Sequence, residues 1–333
     1  MLVAYLIPAT LVLKNCNLLQ NSLDVKSATM LTKMGAERGI MLSSMTCDQT
    51  EANFSDTYLQ PADAILIASD LIFMAVLTEL QLGDNNIGDD GAKAIAEALK
   101  VNAVLTTLDL RANSIGDEGA KAIAEALKVN AVVTTLCLWS NSIGDEGAIA
   151  IAEALKVNRV VTSLGLYDNN IGPEGAKTIA EALKVNAVLT LDLERNEIGP
   201  EGAKAIAEAL KVNAVLTELV LYNNSIGVEG AKAIAEALKV NAVVTILDLG
   251  WNKIGVDGAK AIAEALKVNA VLTELHLWEY NIGYDGAKAI AEALKVNAVL
   301  TKLDIRGNND MGDAGKQAVR DAVKDRSGFE LKL

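Results

Sequence analysis

This chain is poor in the residues from which most active sites are built. Its 333 residues include one histidine, three cysteines, four prolines and only 4% aromatics, and 30 basic residues face 43 acidic ones. A single histidine, His276, rules out histidine-rich metal sites. Cys137 falls several repeats before it, too far for a Cys-His nucleophile pair. The net charge of -13 opposes phosphate, so nucleic acid and anionic membrane surfaces are disfavoured as partners and a basic protein surface is favoured. Cys16, Cys47 and Cys137 are odd in number and widely spaced, which fits a reducing intracellular setting, cytoplasmic in the simplest case, better than a disulfide framework. The longest uncharged stretch, Met1 to Leu13, falls short of the roughly 20 residues of a spanning helix. It also lacks the basic start of a signal peptide, the first lysine being Lys14, and reads as a repeat strand; secretion is the alternative.

Aliphatic residues fill the space that the missing types leave, in a strict period. The phrase GAKAIAEALKVNAV opens at Gly91, Gly119, Gly202, Gly230, Gly258 and Gly286, with near-copies at Gly147 and Gly175. Before each copy lies a phrase of the type L-x-L-x-x-N-x-I-G, as at Leu80, Leu82, Asn85 and Ile87. The alternating leucines predict a short strand with one buried side, and Ala92, Ile95, Ala96 and Leu99 lie on one helical stripe. Neither element can bury its apolar side alone, so neighbouring repeats must stack.

The recurring pattern resembles the leucine-rich repeat motif L-x-x-L-x-L-x-x-N-x-L in its long, 28-residue form. This is the ribonuclease-inhibitor-like class shared with the repeat domains of NOD-like receptors and with Ran GTPase-activating protein. The resemblance implies an α/β leucine-rich repeat solenoid of about 11 repeats. Strand spacing of about 4.8 Å against helix spacing of roughly 8 to 10 Å predicts a horseshoe with a concave parallel sheet and convex helices. The resemblance also implies a protein-binding role, as a recognition protein or scaffold subunit, with a GTPase-activating or enzyme-regulating protein as the rival. Nothing in the residue pattern itself reads as a cofactor site or a reaction centre.

Residues 1–76 keep the phase with altered residues. Ala52, Phe54, Thr57 and Leu59 stand one period before Leu80, Leu82, Asn85 and Ile87, and Leu11, Leu13, Cys16 and Leu18 form an earlier copy. A helix is expected around Leu23 to Met34, and an insertion near Ile40 to Gln49. The reading is of divergent capping repeats at 1–76, regular repeats at 77–312, and a polar helix plus the closing strand FELKL at 313–333. The Asn at each strand exit is expected to bond backbone between turns. Asp117 and Glu118 are expected to complement the helix N-terminus. One residue is missing where Thr190 runs into Leu191, which predicts a weak junction.

Variation gathers on one side of the strands. Between the buried leucines stand Gln81, Asp109, Cys137, Gly165, Asp192, Val220, Asp248, His276 and Asp304. Beside them run Arg111, Trp139, Tyr167, Asp168, Tyr222, Trp251, Trp278 and Tyr280. All three tryptophans fall in this set, whereas Tyr284 alone among the aromatics of the regular array lies elsewhere. Exposed Trp and Tyr give large contact area at low entropic cost, and acids outnumber bases on the same side. The expectation is an acidic, aromatic face for a basic protein or peptide. Its contact residues are Asp109, Arg111, Trp139, Tyr167, Asp168, Asp192, Tyr222, Asp248, Trp251, His276, Trp278, Tyr280 and Asp304.

Overall fold

The computed structural model describes residues 13–278 and 282–333, and the chain forms two compact units, Met1–Leu164 and Gly165–Leu333. Tyr280 and the expected first strand residue Leu11 lie outside the described residues.

In the N-terminal unit the order is α1 (Val25–Arg38), β1 (Glu51–Asn53), α2 (Pro61–Leu71), β2 (Glu79–Gln81), α3 (Gly88–Leu99), β3 (Thr107–Asp109), α4 (Asp117–Leu127), β4 (Thr135–Cys137) and α5 (Asp145–Leu155). Strand β5 (Ser163–Gly165) falls at the division. The C-terminal unit continues with α6 (Pro173–Leu183), β6 (Thr190–Asp192), α7 (Gly199–Leu210), β7 (Glu218–Val220), α8 (Gly227–Leu238), β8 (Ile246–Asp248) and α9 (Gly255–Leu266). It ends with β9 (Glu274–His276), α10 (Gly283–Leu294), β10 (Lys302–Asp304), α11 (Gly312–Val323) and β11 (Glu330–Lys332). Strands β1 to β4 pair in parallel within the first unit, as do β6 to β11 within the second. Leucine pairs with leucine one repeat on, as in Leu80↔Leu108 and Leu219↔Leu247. Each unit is a stretch of leucine-rich repeat solenoid, with strands on one side of an aliphatic core and helices on the other.

The identical helix phrase is a packing device. Ala92, Ile95, Ala96 and Leu99 are buried as their spacing requires. Gly91 sits where a Cβ would come within 2.8 Å of the Ala64 Cβ on the preceding helix, and Gly230 would likewise meet Ala203 at 2.9 Å. Glycine is kept because helices of adjacent repeats touch there. The acids of the first turn act on the next repeat. Asp89 Oδ1 accepts from Gly116 N at 2.8 Å and Gly119 N at 2.9 Å, and Asp117 does the same for Gly144 and Gly147. Gly116 is the N-cap of α4 and has no side chain of its own, so its cap comes from the preceding turn.

Two asparagine ladders run through the repeats. At the strand exit, Asn113 Nδ2 donates to Leu82 O at 2.9 Å and Arg111 O at 2.8 Å, and its Oδ1 accepts from Ile87 N. At the helix exit, the Asn of KVNAV is buried in the same manner. Asn241 Nδ2 donates to Leu210 O at 2.8 Å while Oδ1 accepts from Val243 N and Val244 N. In the last turn Arg326 takes over this second ladder: Nη1 donates to Asn297 O at 2.9 Å, and the guanidinium lies 4.6 Å from the Phe329 ring centre.

The start of the chain differs from expectation in two respects. Helix α1 runs from Val25 to Arg38, four residues beyond the expected end, and stops at the left-handed Gly39. Ile40 to Gln49 is no simple insertion. Met41 bridges in parallel with Asn15, and Ile40, Leu42, Ser43 and Met45 are buried. The buried Asp70 on α2 holds this segment, Oδ2 accepting from Leu42 N (2.7 Å), Ser43 N (2.7 Å) and Ser43 Oγ (2.6 Å). At the other end, the extra residue after Asn308 is absorbed by a 3₁₀ turn, Asn309–Met311, which returns Met311 to the core.

Candidate interaction face

Register arranges the variable residues of the C-terminal unit as a grid. Asp192, Val220, Asp248, His276, Asp304 and Lys332 form one row across β6 to β11. Two residues earlier on the same side runs a row of Thr190, Glu218, Ile246, Glu274, Lys302 and Glu330. Two residues later come Glu194, Tyr222, Gly250, Trp278 and Arg306, where the strands give way to turns.

The aromatics of this grid touch one another. Tyr222 and Trp278 stack with ring centroids 4.5 Å apart and planes 19° from parallel, and Trp251 tilts onto Tyr222 at 6.4 Å and 52°. Stacking across an intervening strand is possible because that strand carries Gly250, where a Cβ would stand 2.8 Å from Trp278 Nε1 and 3.0 Å from Tyr222. Tyr222 is consequently 8% exposed, whereas Trp251 is 44% exposed. Trp251 lies in the left-handed region at φ 57°, a position filled by Asp168, Arg195 and Asn223 in neighbouring repeats and unfavourable for a bulky side chain. Arg306 extends the plate, its guanidinium 6.0 Å from the Trp278 ring. Arg195 lies 5.7 Å from the Tyr167 ring, its Nη1 donating to the Tyr167 hydroxyl at 3.0 Å.

The central aspartates serve the backbone as well as the surface. One oxygen of each accepts from the amide two residues on: Asp109 from Arg111 (3.0 Å), Asp192 from Glu194 (2.9 Å), Asp248 from Gly250 (2.8 Å) and Asp304 from Arg306 (3.2 Å). Asp304 is only 2% exposed and receives Arg306 Nε and Nη2 as well. Burial works against its charge, but the Arg306 bonds outweigh it and hold the carboxyl below its usual range. Of the expected contact residues, Tyr222, Asp304 and Asp109 are thus withdrawn from solvent, Tyr222 by stacking and Asp304 by its arginine, while Asp109 is 9% exposed.

Around Val220 the balance is reversed. Burial pushes Asp192 up. Burial, then the charges of Asp192 and Asp248, push Glu194 up to about 7. The phenol of Tyr222 is also pushed up, by burial and by Glu194. Asp248 Oδ2 lies 3.2 Å from His276 Nδ1, while His276 Nε2 is buried with no hydrogen-bond partner among the described residues. Glu274 is answered by Lys302 at 2.9 Å.

Asp109, Arg111 and Trp139 belong to the N-terminal unit. Arg111 lies across Gly83 as Trp278 lies across Gly250, with Nε 3.2 Å from Asp84 and Nη1 3.4 Å from Asp109. Trp139 is half-buried. The most exposed of the described aromatics escaped the sequence reading: Tyr58, 79% exposed and in the left-handed region at φ 58°. Its position in a divergent repeat hid it, although an aromatic one residue before Leu59 is the available signal. On the helical side Lys and Glu pair three residues apart, as in Lys177–Glu174 and Lys204–Glu201, so charge there is largely self-compensated.

No group of three or more metal-ligating side chains occurs among the described residues, and no described helix is long and apolar enough to cross a membrane.

Comparison with known proteins found no match among curated sequences. Among solved structures, the chain is similar to "Leiomodin-1 Actin-Binding Site 2 (ABS2)", with 23% identity over 58% of this chain and 81% of that one, at a TM-score of 0.33. The Leucine Rich repeat family matches residues 74–96, 101–124, 129–152, 157–180, 185–207, 212–235, 240–263 and 296–319. The unmatched stretch at 264–295 contains the repeat in which Tyr280 stands in place of the strand-exit Asn. These matches span more than half of the chain, in phase with its strands and helices, and the protein belongs to the Leucine Rich repeat family.

Proposed function

We propose that the protein is a non-enzymatic interaction module that holds a basic protein or peptide on the strand side of its repeats, as a recognition protein or scaffold subunit. The observation that carries this reading is the aromatic plate of Tyr222, Trp278 and the exposed Trp251, set beside the carboxylates of Asp192, Glu194, Glu218 and Asp248. An apolar, conformationally restricted plate supplies contact area, and the acids supply steering and charge preference. Asp109, Arg111, Trp139, Tyr167, Asp168 and His276 are further contact residues in this reading. So is Tyr280 on sequence grounds alone. In this reading the divergent residues 1–76 and the segment 313–333 act as caps, and the 28-residue repeat length supports a ribonuclease-inhibitor-like class. The GTPase-activating rival rests on resemblance alone.

Fluorescence anisotropy with labelled deca-lysine, and deca-glutamate as control, tests the reading on the full chain. Deca-lysine is expected to bind at low salt, to weaken as salt is raised, and to lose several-fold affinity in Trp251→Ala and in Asp248→Asn. Equal binding of both peptides, or wild-type affinity in both variants, would remove the face from consideration.

A further inference from the structure

Strands β6 to β8 place acids around one apolar residue. Asp192 and Asp248 stand on either side of Val220 in the ladder, roughly 10 Å apart if strand spacing is regular. Glu218 precedes Val220 by two residues on the same side, and Tyr222, with Glu194 beside it, follows by two. Val220 offers neither charge nor hydrogen bond to the carboxylates around it. Asp192 and Asp248 each spend one oxygen on a backbone amide, which fixes their positions.

The neighbouring basic groups are few and each is shared with a further partner. Arg195 directs Nη1 to the Tyr167 hydroxyl at 3.0 Å and leaves Nε 3.9 Å from Glu194. Beyond Asp248, His276 lies at 3.2 Å, and Lys302 pairs with Glu274. Asp168 adds a further negative charge bearing on Glu194 from the preceding repeat. Glu194 therefore faces Asp168, Asp192, Asp248 and Tyr222 with Arg195 as its counter-charge.

We propose that the unbound face holds a proton on the neighbouring carboxyls of Glu194 and Asp192 and releases it when a cationic partner docks, so that docking weakens on mild acidification. This rests on the basic-partner reading above and adds its regulation. The crowding that raises Glu194 to about 7 is relieved by a cation, and by reciprocity proton release favours the cation. One released proton changes affinity by about tenfold between pH 8 and pH 6.

The test is deca-lysine anisotropy on the full chain at pH 6, 7 and 8 at fixed ionic strength. The peptide itself stays charged throughout, its lysines titrating near 10.4. The expected result is about tenfold weaker binding at pH 6 than at pH 8, with a much flatter profile in Glu194→Gln and an unchanged one in His276→Gln. Equal affinity at all three pH values overturns the coupling and leaves the basic-partner reading standing. A profile that stays steep in Glu194→Gln and flattens in His276→Gln assigns the proton to the histidine and also overturns it. Absence of binding at every pH overturns the basic-partner reading, and the coupling with it.

Discussion

Tyr222 and Trp278 belong to repeats separated by a whole strand, yet their rings stack at 4.5 Å over Gly250. Parallel strands spaced about 4.8 Å apart would hold such residues at roughly twice that distance. The contact exists because glycine leaves the middle position bare and both rings lean into it. Three consecutive repeats thus combine into one apolar plate, to which Trp251 adds an exposed edge.

Replacing Gly250 with Ala tests this relationship without a conformational penalty, since Gly250 is not among the residues with positive φ. The new methyl would stand under 3 Å from Trp278, so the rings must part. The expected cost is about 0.5–1.5 kcal/mol, the usual worth of an aromatic pair. Near-UV circular dichroism should lose its Tyr–Trp contribution, and Tyr222 should become more accessible to quenchers. Unchanged spectra and stability would mean that the stack does not hold in solution.

The raised Glu194 predicts an unusual sign for the dependence of stability on pH. Its carboxyl titrates near 4.5 when unfolded and near 7 in the fold. The folded chain therefore binds the extra proton between these values, and this group's contribution is fully present below about 4.5 and lost as pH rises through about 7. Asp192 and Asp70 act in the same direction. Paired carboxylates such as Asp304 act oppositely, so the informative quantity is a difference. Glu194→Gln should gain melting temperature relative to the parent at pH 8 and gain little at pH 5. A constant difference at both pH values would contradict the assignment.

Asp70 predicts a local weakness in the N-terminal unit. Its Oδ2 accepts from two buried backbone amides and from the Ser43 hydroxyl, and burial pushes its carboxyl up. Asp70→Ala leaves those donors without an acceptor, at an expected cost of about 2–4 kcal/mol. Hydrogen exchange should show Leu42 and Ser43 unprotected, with the C-terminal unit unchanged. Protection at those amides equal to wild type would show that the segment is held by other contacts.

The repeat, its strands, its helices and the strand-exit Asn ladder were legible because period and chemistry coincide there, as at Leu80, Asn85 and Ile95. The second ladder was harder to see. Asn102 and its equivalents sit inside a phrase copied so uniformly that no position stands out, and their partners lie one repeat away. The face was legible as composition but not as geometry. Nothing in sequence spacing reveals that Tyr222 is buried under its neighbours or that Arg306 covers Asp304, because those contacts depend on which side chain is absent at Gly250 and which way an arginine folds. The role of Ile40 to Met45 was hidden for a similar reason: Asp70, its anchor, lies on another element.

The missing residue between Thr190 and Leu191 gives the most direct engineering prediction. Strand pairing is kept, Thr190↔Glu218 and Leu191↔Leu219, so the shortening is absorbed upstream. Val188 moves into the buried position that Leu216 and Val244 hold in later repeats, and Leu189 is pushed out to 42% exposure. Asn186 is affected too: its Oδ1 accepts from Val188 N at 3.1 Å, and its buried Nδ2 has no partner among the described residues. Inserting one Glu between Thr190 and Leu191 restores the NAVLTEL phrase found at Asn213 to Leu219. Leu189 should then return to the core, which is worth about 1.5–3 kcal/mol for a fully buried leucine and less here because it starts partly buried. Slack in the longer loop should also let Asn186 complete its bonds. The expected result is a higher denaturation midpoint by chemical unfolding, with slower hydrogen exchange over residues 186–190. A lower midpoint would mean that the shortened loop is matched by compensating packing, and that the junction is a settled part of the array.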